Sequence, residues 1–298
     1  MKHYRFDRPG QTVDLGRLPT RPPKNFRRED AEKALAPLGE ELFSLQELLW
    51  GARTHAVLLV LQGRDTAGKD GVIKNVVGYL NPRGVSVTSF GVPTEEEREH
   101  DFLWRVRPHA PRHGTFSIFN RSHYEDVLVV RVHDLVPKEV WSRRYEQIDA
   151  FEQTLAAHRT IVLKVYLHIS AEEQQERLLE READPKAAWK LSVGDWRERE
   201  HWKAYTRAYE EALSRCASPE APWLVVPADK KWYRNWVVAD ALCAALRPYR
   251  KEWQARLDTQ GAQRHAELEA YRTASRSGRS PKPGDKAPRR GKGGSAKP

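Results

Sequence analysis

The chain has 298 residues, 39% hydrophobic and 31% charged, with a net charge of +10. No stretch reaches the roughly 20 apolar residues of a membrane helix, and the longest apolar run, Ala56 to Leu61, suits a buried strand, so no membrane role is expected. The basicity is local: nine Lys or Arg against one acid from Arg272 to Pro298 give +8, leaving only +2 on residues 1–271, which speaks against a nucleic-acid-binding body.

Residues 1–28 are rich in Pro and Arg and read as an extended arm. From Glu29 the apolar positions Leu35, Leu38, Leu42, Leu45 and Leu49 recur in three- and four-residue steps, one face of a helix. His55–Gln62 (HAVLLVLQ) follows as a strand buried on both faces, the kind found in parallel sheets. A glycine-rich turn then opens a helix expected from about Gly68 to Leu80. Val85–Phe90 is a strand. Thr94–Val106 is a helix with Thr94 and Glu97 in a capping box. Thr115–Asn120 is a strand with helix-prone residues from Glu125. Glu139–His158 is helical, Thr160–Ile169 a strand, and Ser170 with Glu173 caps a charged helix. Asp195–Arg215 is a helix, Trp223–Val226 a short strand and Trp232–Leu246 a last helix. This alternation predicts an α/β fold over residues 29–250, a parallel sheet of about five strands with helices on both faces. Residues 251–298 are expected as a basic, largely disordered tail with some affinity for polyanions, in which Lys251–Arg272 could extend a helix and disorder sets in beyond Thr273. The N-terminus lacks an apolar leader, and Cys216 and Cys243 lack metal or redox spacing, so a cytoplasmic protein with free thiols is expected.

Gly63-Arg64-Asp65-Thr66-Ala67-Gly68-Lys69-Asp70-Gly71 lies between the first strong strand and a helix. GxxxxGK is the spacing of a phosphate-binding loop: the glycines let backbone N–H groups converge on an anion at a helix N-terminus, and Lys69 reaches the terminal phosphates. Asp70 stands where Ser or Thr usually follows the Lys, and Asp65 adds a carboxylate within the loop. Carboxylates beside phosphate call for a cation between them. Mg²⁺, with Mn²⁺ as a substitute, takes one or two carboxylates plus phosphate oxygens. Asp65 is the expected ligand, and Asp70 is either a ligand or a helix cap.

The end of the third strand carries Asn120, Arg121, His123 and Glu125, at the edge where open parallel sheets bind ligands. Arg121 is a candidate phosphoryl clamp, and Glu125 a candidate metal ligand or acceptor-orienting group. Arg177 and Arg181 share a helix face, and with Lys186 and Lys190 they suggest a kinase-like lid over about residues 171–195; a charged surface helix is the other reading. Lys74, Lys231 and Arg234 are further candidates for an anion groove.

The segments GRDTAGKDG, SFGVPTEEE, FNRSHYEDVLVVRV, LKVYLHIS, PKAAWKLSVGDW and APWLVVPADKKWYRNW together resemble the family-2 polyphosphate kinases over about residues 30–248. Glu125 in NRSHYEDV is similar to the third class of that family, the nucleotide mono- and diphosphate kinases. Other classes tend to carry DRSWYNR, with Asp in place of Asn120 and Asn in place of Glu125. The resemblance implies a P-loop kinase fold and a reversible, Mg²⁺-dependent transfer of the terminal phosphoryl of inorganic polyphosphate to AMP or ADP, with guanine nucleotides as further acceptors to test. It maps Asp65 and Lys69 onto the Walker A residues, Asn120, Arg121 and Glu125 onto the Walker B region, and Arg177 and Arg181 onto the lid. A dimer or tetramer is implied as well. Thr66-Ala67 departs from the commoner Ala-Gly, and the basic tail lies outside the family pattern. The competing readings are an ATP-dependent nucleoside monophosphate kinase and an RNA- or polyanion-binding protein with a degenerate nucleotide site.

Overall fold

A computed structural model describes residues 2–276, apart from the side chains of Ala187, Ala188 and Lys190. Its core is a six-stranded sheet in the order β1-β6-β5-β2-β4-β3. The strands are β1 (Tyr4–Phe6), β2 (Ala56–Gly63), β3 (Val85–Ser89), β4 (Phe116–Asn120), β5 (Thr160–His168) and β6 (Trp223–Pro227). The five strands expected from the sequence are all present and all parallel. The sixth is a correction to the extended arm. Residues 4–6 add an antiparallel edge to β6, with Tyr4 opposite Val225 and Phe6 opposite Trp223. Three residues are too short to show a periodic pattern, and only the docking of Phe6 into the core fixes them.

The helices are α1 (Arg28–Ala52), α2 (Lys69–Asn75), α3 (Glu95–Glu99), α4 (Val129–Val132), α5 (Lys138–Trp141), α6 (Arg144–Ala157), α7 (Ala171–Ala183), α8 (Val193–Glu200), α9 (Trp202–Arg215), α10 (Lys231–Leu246) and α11 (Arg250–Arg276). Side chains alternate along β2, and each face has its own core. Val57, Leu59 and Leu61 join Leu42, Leu45 and Leu49 of α1 and the apolar side of α10. Leu58 and Val60 face Ile148 of α6 and Ala208, Ala212 and Leu213 of α9. Each fully buried leucine contributes about 1.5–3 kcal/mol, so the two faces together fix the register of the central strand.

Several predicted helices are shorter than expected. The helix begun at Lys69 ends at Asn75, whose side chain bonds back to the Gly71 carbonyl, and a 3-10 turn over Val77–Tyr79 replaces its continuation. The Thr94–Glu97 capping box forms as read, but the helix stops at Glu99. Asp101 accepts from the Leu103 amide and so starts a new turn. The Asp195–Arg215 stretch is two helices, broken at His201. One compact unit runs to Trp253, whose buried indole N–H donates to His55 Nδ1 at 3.0 Å. The second unit begins at Gln254 and is helical as far as Arg276, four residues past the stretch read as able to extend a helix. The remaining tail, residues 277–298, lies outside the described residues.

The register decides where chemistry can occur. Leu61 of β2 pairs with Asn120, the last residue of β4, and Gly63 pairs with Leu167 near the end of β5. The loop after β2, the turn after β4 and the start of α7 therefore meet at the carboxyl edge of the sheet, where doubly wound folds hold their ligands.

Candidate active site

The phosphate loop forms at the end of β2. Gly68 has φ +102 and Thr66 φ +59, the left-handed kinks that curl the backbone before α2. Glycine at 68 is also required by space: a Cβ there would lie 1.7 Å from Arg234 Nη1, and one at Gly71 would lie 2.5 Å from Arg234 Nη2. Arg234 is therefore packed behind the loop. It donates to the Ala67 carbonyl at 3.2 Å and to Asn235 Oδ1. Burial, reinforced by the nearby Arg177 charge, brings its pKa down to about 10. The expectation of a groove-lining Arg234 is corrected accordingly: it supports the loop from beneath.

Lys69 is buried and folds back over its own loop, donating to the Gly63 carbonyl at 2.6 Å and to that of Arg64 at 3.2 Å. Burial lowers its pKa, and Asp65 partly offsets this. Asp65 Oδ1 accepts from Arg121 Nη2 at 2.8 Å. Arg121 itself takes φ +60, which turns the chain out of β4 and over the loop. Burial works against its charge, but Glu125 and Asp65 outweigh it and raise its pKa. Glu125 is raised above the ordinary carboxylate value by burial, with Arg121 and Lys69 partly compensating. Asn120 Nδ2 donates to Asp70 Oδ1 at 3.0 Å and to Ser89 Oγ at 3.2 Å, tying the first turn of α2 to the ends of β3 and β4.

The two arginines of α7 differ sharply. All five N–H groups of Arg177 have acceptors: Glu173 Oε1 and the carbonyls of Thr66, Ala67, Ala228 and Asp229. A guanidinium has no further donors, so Arg177 is a brace for the phosphate loop, and the expectation of a mobile lid arginine is corrected. One turn on, Arg181 reaches the open side and pairs with Asp195 Oδ2 at 2.7 Å.

Two cavities meet here. The first, about 580 Å³, is bordered by the cations Lys69, Arg121, Arg177, Arg181 and Lys231 and by the carboxylates Asp65, Asp70, Glu180, Asp184 and Asp195. The second, about 390 Å³, adds Glu125 and Glu198 to the faces of Trp202, Tyr205 and Tyr209 and to Val92 and Val129. Asp65, Arg121 and Asp195 border both. Asp195 was not singled out in the sequence; its place after the Ser192 cap, one turn into α8, gave no local signal. Arg64 borders the second cavity, stacking 3.7 Å over Trp202 and donating to the Trp202 carbonyl and Thr206 Oγ1. The structure does not bring every predicted cation to the cavities. Lys74 is exposed on α2 and lines neither cavity, and the Lys190 side chain lies outside the described residues.

The donor set at the junction suits a hard divalent cation. Asp65, Glu125 and Asp195 offer only oxygen ligands. Among the described residues no three His, Cys, Asp or Glu side chains are close enough to enclose a metal by themselves. Mg²⁺ characteristically takes one or two carboxylates and completes its shell with water and phosphate oxygens.

Comparison with known proteins agrees with this geometry. The chain is 48% identical over 248 residues to an AMP/ADP-polyphosphate phosphotransferase of Meiothermus ruber, covering 83% of this chain and 92% of that protein. It is 41% identical over 250 residues to an ADP-polyphosphate phosphotransferase of Rhodopseudomonas palustris, covering 80% and 86%. The crystal structure of a polyphosphate kinase 2 from Arthrobacter aurescens superposes with a TM-score of 0.77 at 40% identity, covering 80% of this chain and 87% of that one. The model of the polyphosphate kinase 2 (PPK2) family matches residues 25–254, and the chain belongs to that family.

Proposed function

We propose that this protein transfers the terminal phosphoryl group of inorganic polyphosphate to AMP and ADP, reversibly and with Mg²⁺. The observation that carries this reading is the pair of cavities joined at Asp65, Arg121 and Asp195. The charged cavity suits a polyphosphate chain and the aromatic-sided one a nucleoside. Their common border is where the reacting phosphoryl would pass. The similarity to phosphotransferases named for AMP and ADP supports the choice of acceptors.

Phosphoryl transfer needs alignment and charge neutralisation more than covalent chemistry. In this reading Lys69 exchanges its loop carbonyls for phosphate oxygens, and the loop N–H groups hold the donor end. Arg121, released from Asp65, steadies the transferring group. Arg181 leaves Asp195 to close from the side of a lid spanning about residues 171–195. Asp65, Glu125 and Asp195 would hold Mg²⁺, which would supply neutralisation of the phosphate charge. A phosphate oxygen of the nucleotide attacks the terminal phosphorus as its P–O bond to the chain breaks, and polyphosphate shorter by one phosphate leaves; no enzyme nucleophile is required.

The oligomer and the cytoplasmic setting remain part of the proposal. Among the described residues no helix is long and apolar enough to cross a membrane. The decisive assay offers AMP and ADP separately with Mg²⁺ and either polyphosphate or ATP. ATP formed from ADP and polyphosphate, with a loss of about 10²- to 10³-fold in Lys69→Ala, is the expected result. Turnover with ATP alone as donor would replace this reading with an ordinary nucleotide kinase.

A further inference from the structure

Beneath the end of β4 lies a polar cluster that an apolar core would ordinarily exclude. Lys164 at the centre of β5, Glu152 on α6 and His123 and Tyr124 in the turn after β4 are each 1% exposed or less. The Lys164 ammonium donates to Glu152 Oε2, to the Cys216 carbonyl and, at 3.0 Å, to the Tyr124 hydroxyl. Glu152 Oε1 accepts from the Tyr124 hydroxyl at 2.9 Å and lies 3.2 Å from His123 Nε2. All three ammonium hydrogens are used. None of these four residues borders either cavity of the candidate active site.

Stability does not explain the cluster. Val162 and Tyr166, two positions either side of Lys164, are apolar core on the same face. A well-packed apolar pair in place of a buried ion pair is commonly neutral or stabilising. What the ions add is a single allowed geometry. His123 and Tyr124 sit between Arg121 and Glu125 in the chain. The Tyr124 amide and Gln62 Nε2 both donate to Ser122 Oγ, at 3.1 and 3.0 Å, so the turn is pinned to the end of β2. Anchoring Tyr124 from below therefore sets the turn that aims Arg121 and Glu125 across the phosphate loop.

We propose that Lys164 and Glu152 are positioning residues for phosphoryl transfer, holding the turn over residues 122–126 so that Arg121 and Glu125 face Asp65. The proposal rests on the reading that Arg121 and Glu125 belong to the reacting centre. A misplacement near 1 Å at such a centre costs up to about 100-fold in rate.

The test compares Lys164→Met, the double variant Lys164→Met/Glu152→Leu, and Glu125→Gln, assayed with ADP, polyphosphate and Mg²⁺. The single variant strands Glu152 without its cation and lowers Tm; the double restores Tm to within about 5 °C of the parent. kcat is expected to fall about 10- to 100-fold in both, with KM for ADP and polyphosphate changed by less than about threefold. A purely structural pair would show kcat recovering together with Tm. A double variant that keeps kcat within about twofold of the parent, while Glu125→Gln is inactive, overturns the proposal and leaves the site reading standing. A fully active Glu125→Gln overturns the premise, and the proposal with it. Should the double variant fail to fold, Tyr124→Phe decides. It removes one hydroxyl, and a drop in kcat of about three- to tenfold with unchanged circular dichroism is expected; an unchanged kcat overturns the proposal.

Discussion

Arg177 and Arg181 lie one helical turn apart on α7 and would pass as equivalent in any pattern, yet they occupy different worlds. Arg177 is buried beneath the phosphate loop with all five donors engaged, four of them by backbone carbonyls of the loop and of the chain after β6. Arg181 faces the charged cavity, held by the partly exposed carboxylate of Asp195. The contrast separates a floor saturated by its own loop from a wall that faces the cavity. Saturation of hydrogen bonds, rather than charge, tells the two apart. An arginine with no donor left cannot join a substrate without dismantling the loop it supports.

The contrast breaks if both arginines behave alike on substitution. Arg177→Met leaves a buried carboxylate and the carbonyls of Thr66, Ala228 and Asp229 without this donor, so a loss of about 3 kcal/mol is expected, visible as a lowered denaturant midpoint, with activity falling because the loop loosens. Arg181→Ala is expected to leave stability within about 1 kcal/mol, since its ion pair is partly solvated, while kcat falls about 100-fold. Equal stability losses in the two variants would erase the distinction between floor and wall.

A smaller effect tests the floor from its other side. Gly71→Ala places a methyl 2.5 Å from Arg234 Nη2. The guanidinium must shift away from the loop, at an expected cost of about 1–2 kcal/mol, and KM for polyphosphate should rise more than KM for ADP. Pairing it with Arg234→Met, which vacates that space, should restore stability relative to the expected sum, as a double-mutant cycle would show.

The last prediction concerns pH. Glu125 titrates above its ordinary value of 4.5 in the folded protein because it is buried. The folded state therefore holds this proton more tightly than the unfolded chain does. Its contribution to stability is greatest at low pH and declines as pH rises from 4.5 through the raised folded value. Glu125→Gln should accordingly make the protein slightly more stable near neutrality while lowering activity. In the parent, activity should show an acid limb above pH 4.5 that moves down as Mg²⁺ is raised, because the cation competes with the proton. Retention of that limb in Glu125→Gln would assign it to another group.

Much of this was legible in the chain. The run Ala56–Leu61 and the alternation of strands and helices specify a parallel sheet because such strands are covered on both faces. The loop from Gly63 to Gly71 is legible because phosphate binding places strong demands on consecutive residues. The sequence read as far as Asn120, Arg121 and Glu125 for the same reason: they follow a strand end. Asp195 was not legible. Its carboxylate reaches Arg181 and the border of both cavities only through the packing of α8 against α7.

By itself, then, the sequence determined the elements whose physics is local: helical faces, buried strands, the capping box at Thr94 and the glycine-rich loop. The tertiary structure alone decided which acceptors surround each cation. It turned Arg64 onto Trp202, placed Arg234 and Arg177 under the loop and left Arg181 and Lys231 on the cavity wall. It also gathered Lys164, Glu152 and Tyr124 from three separate elements into one buried network. The reason is common to all of these. A charged side chain's role is set by the acceptors that surround it, and those acceptors come from residues as far as 167 positions away along the chain.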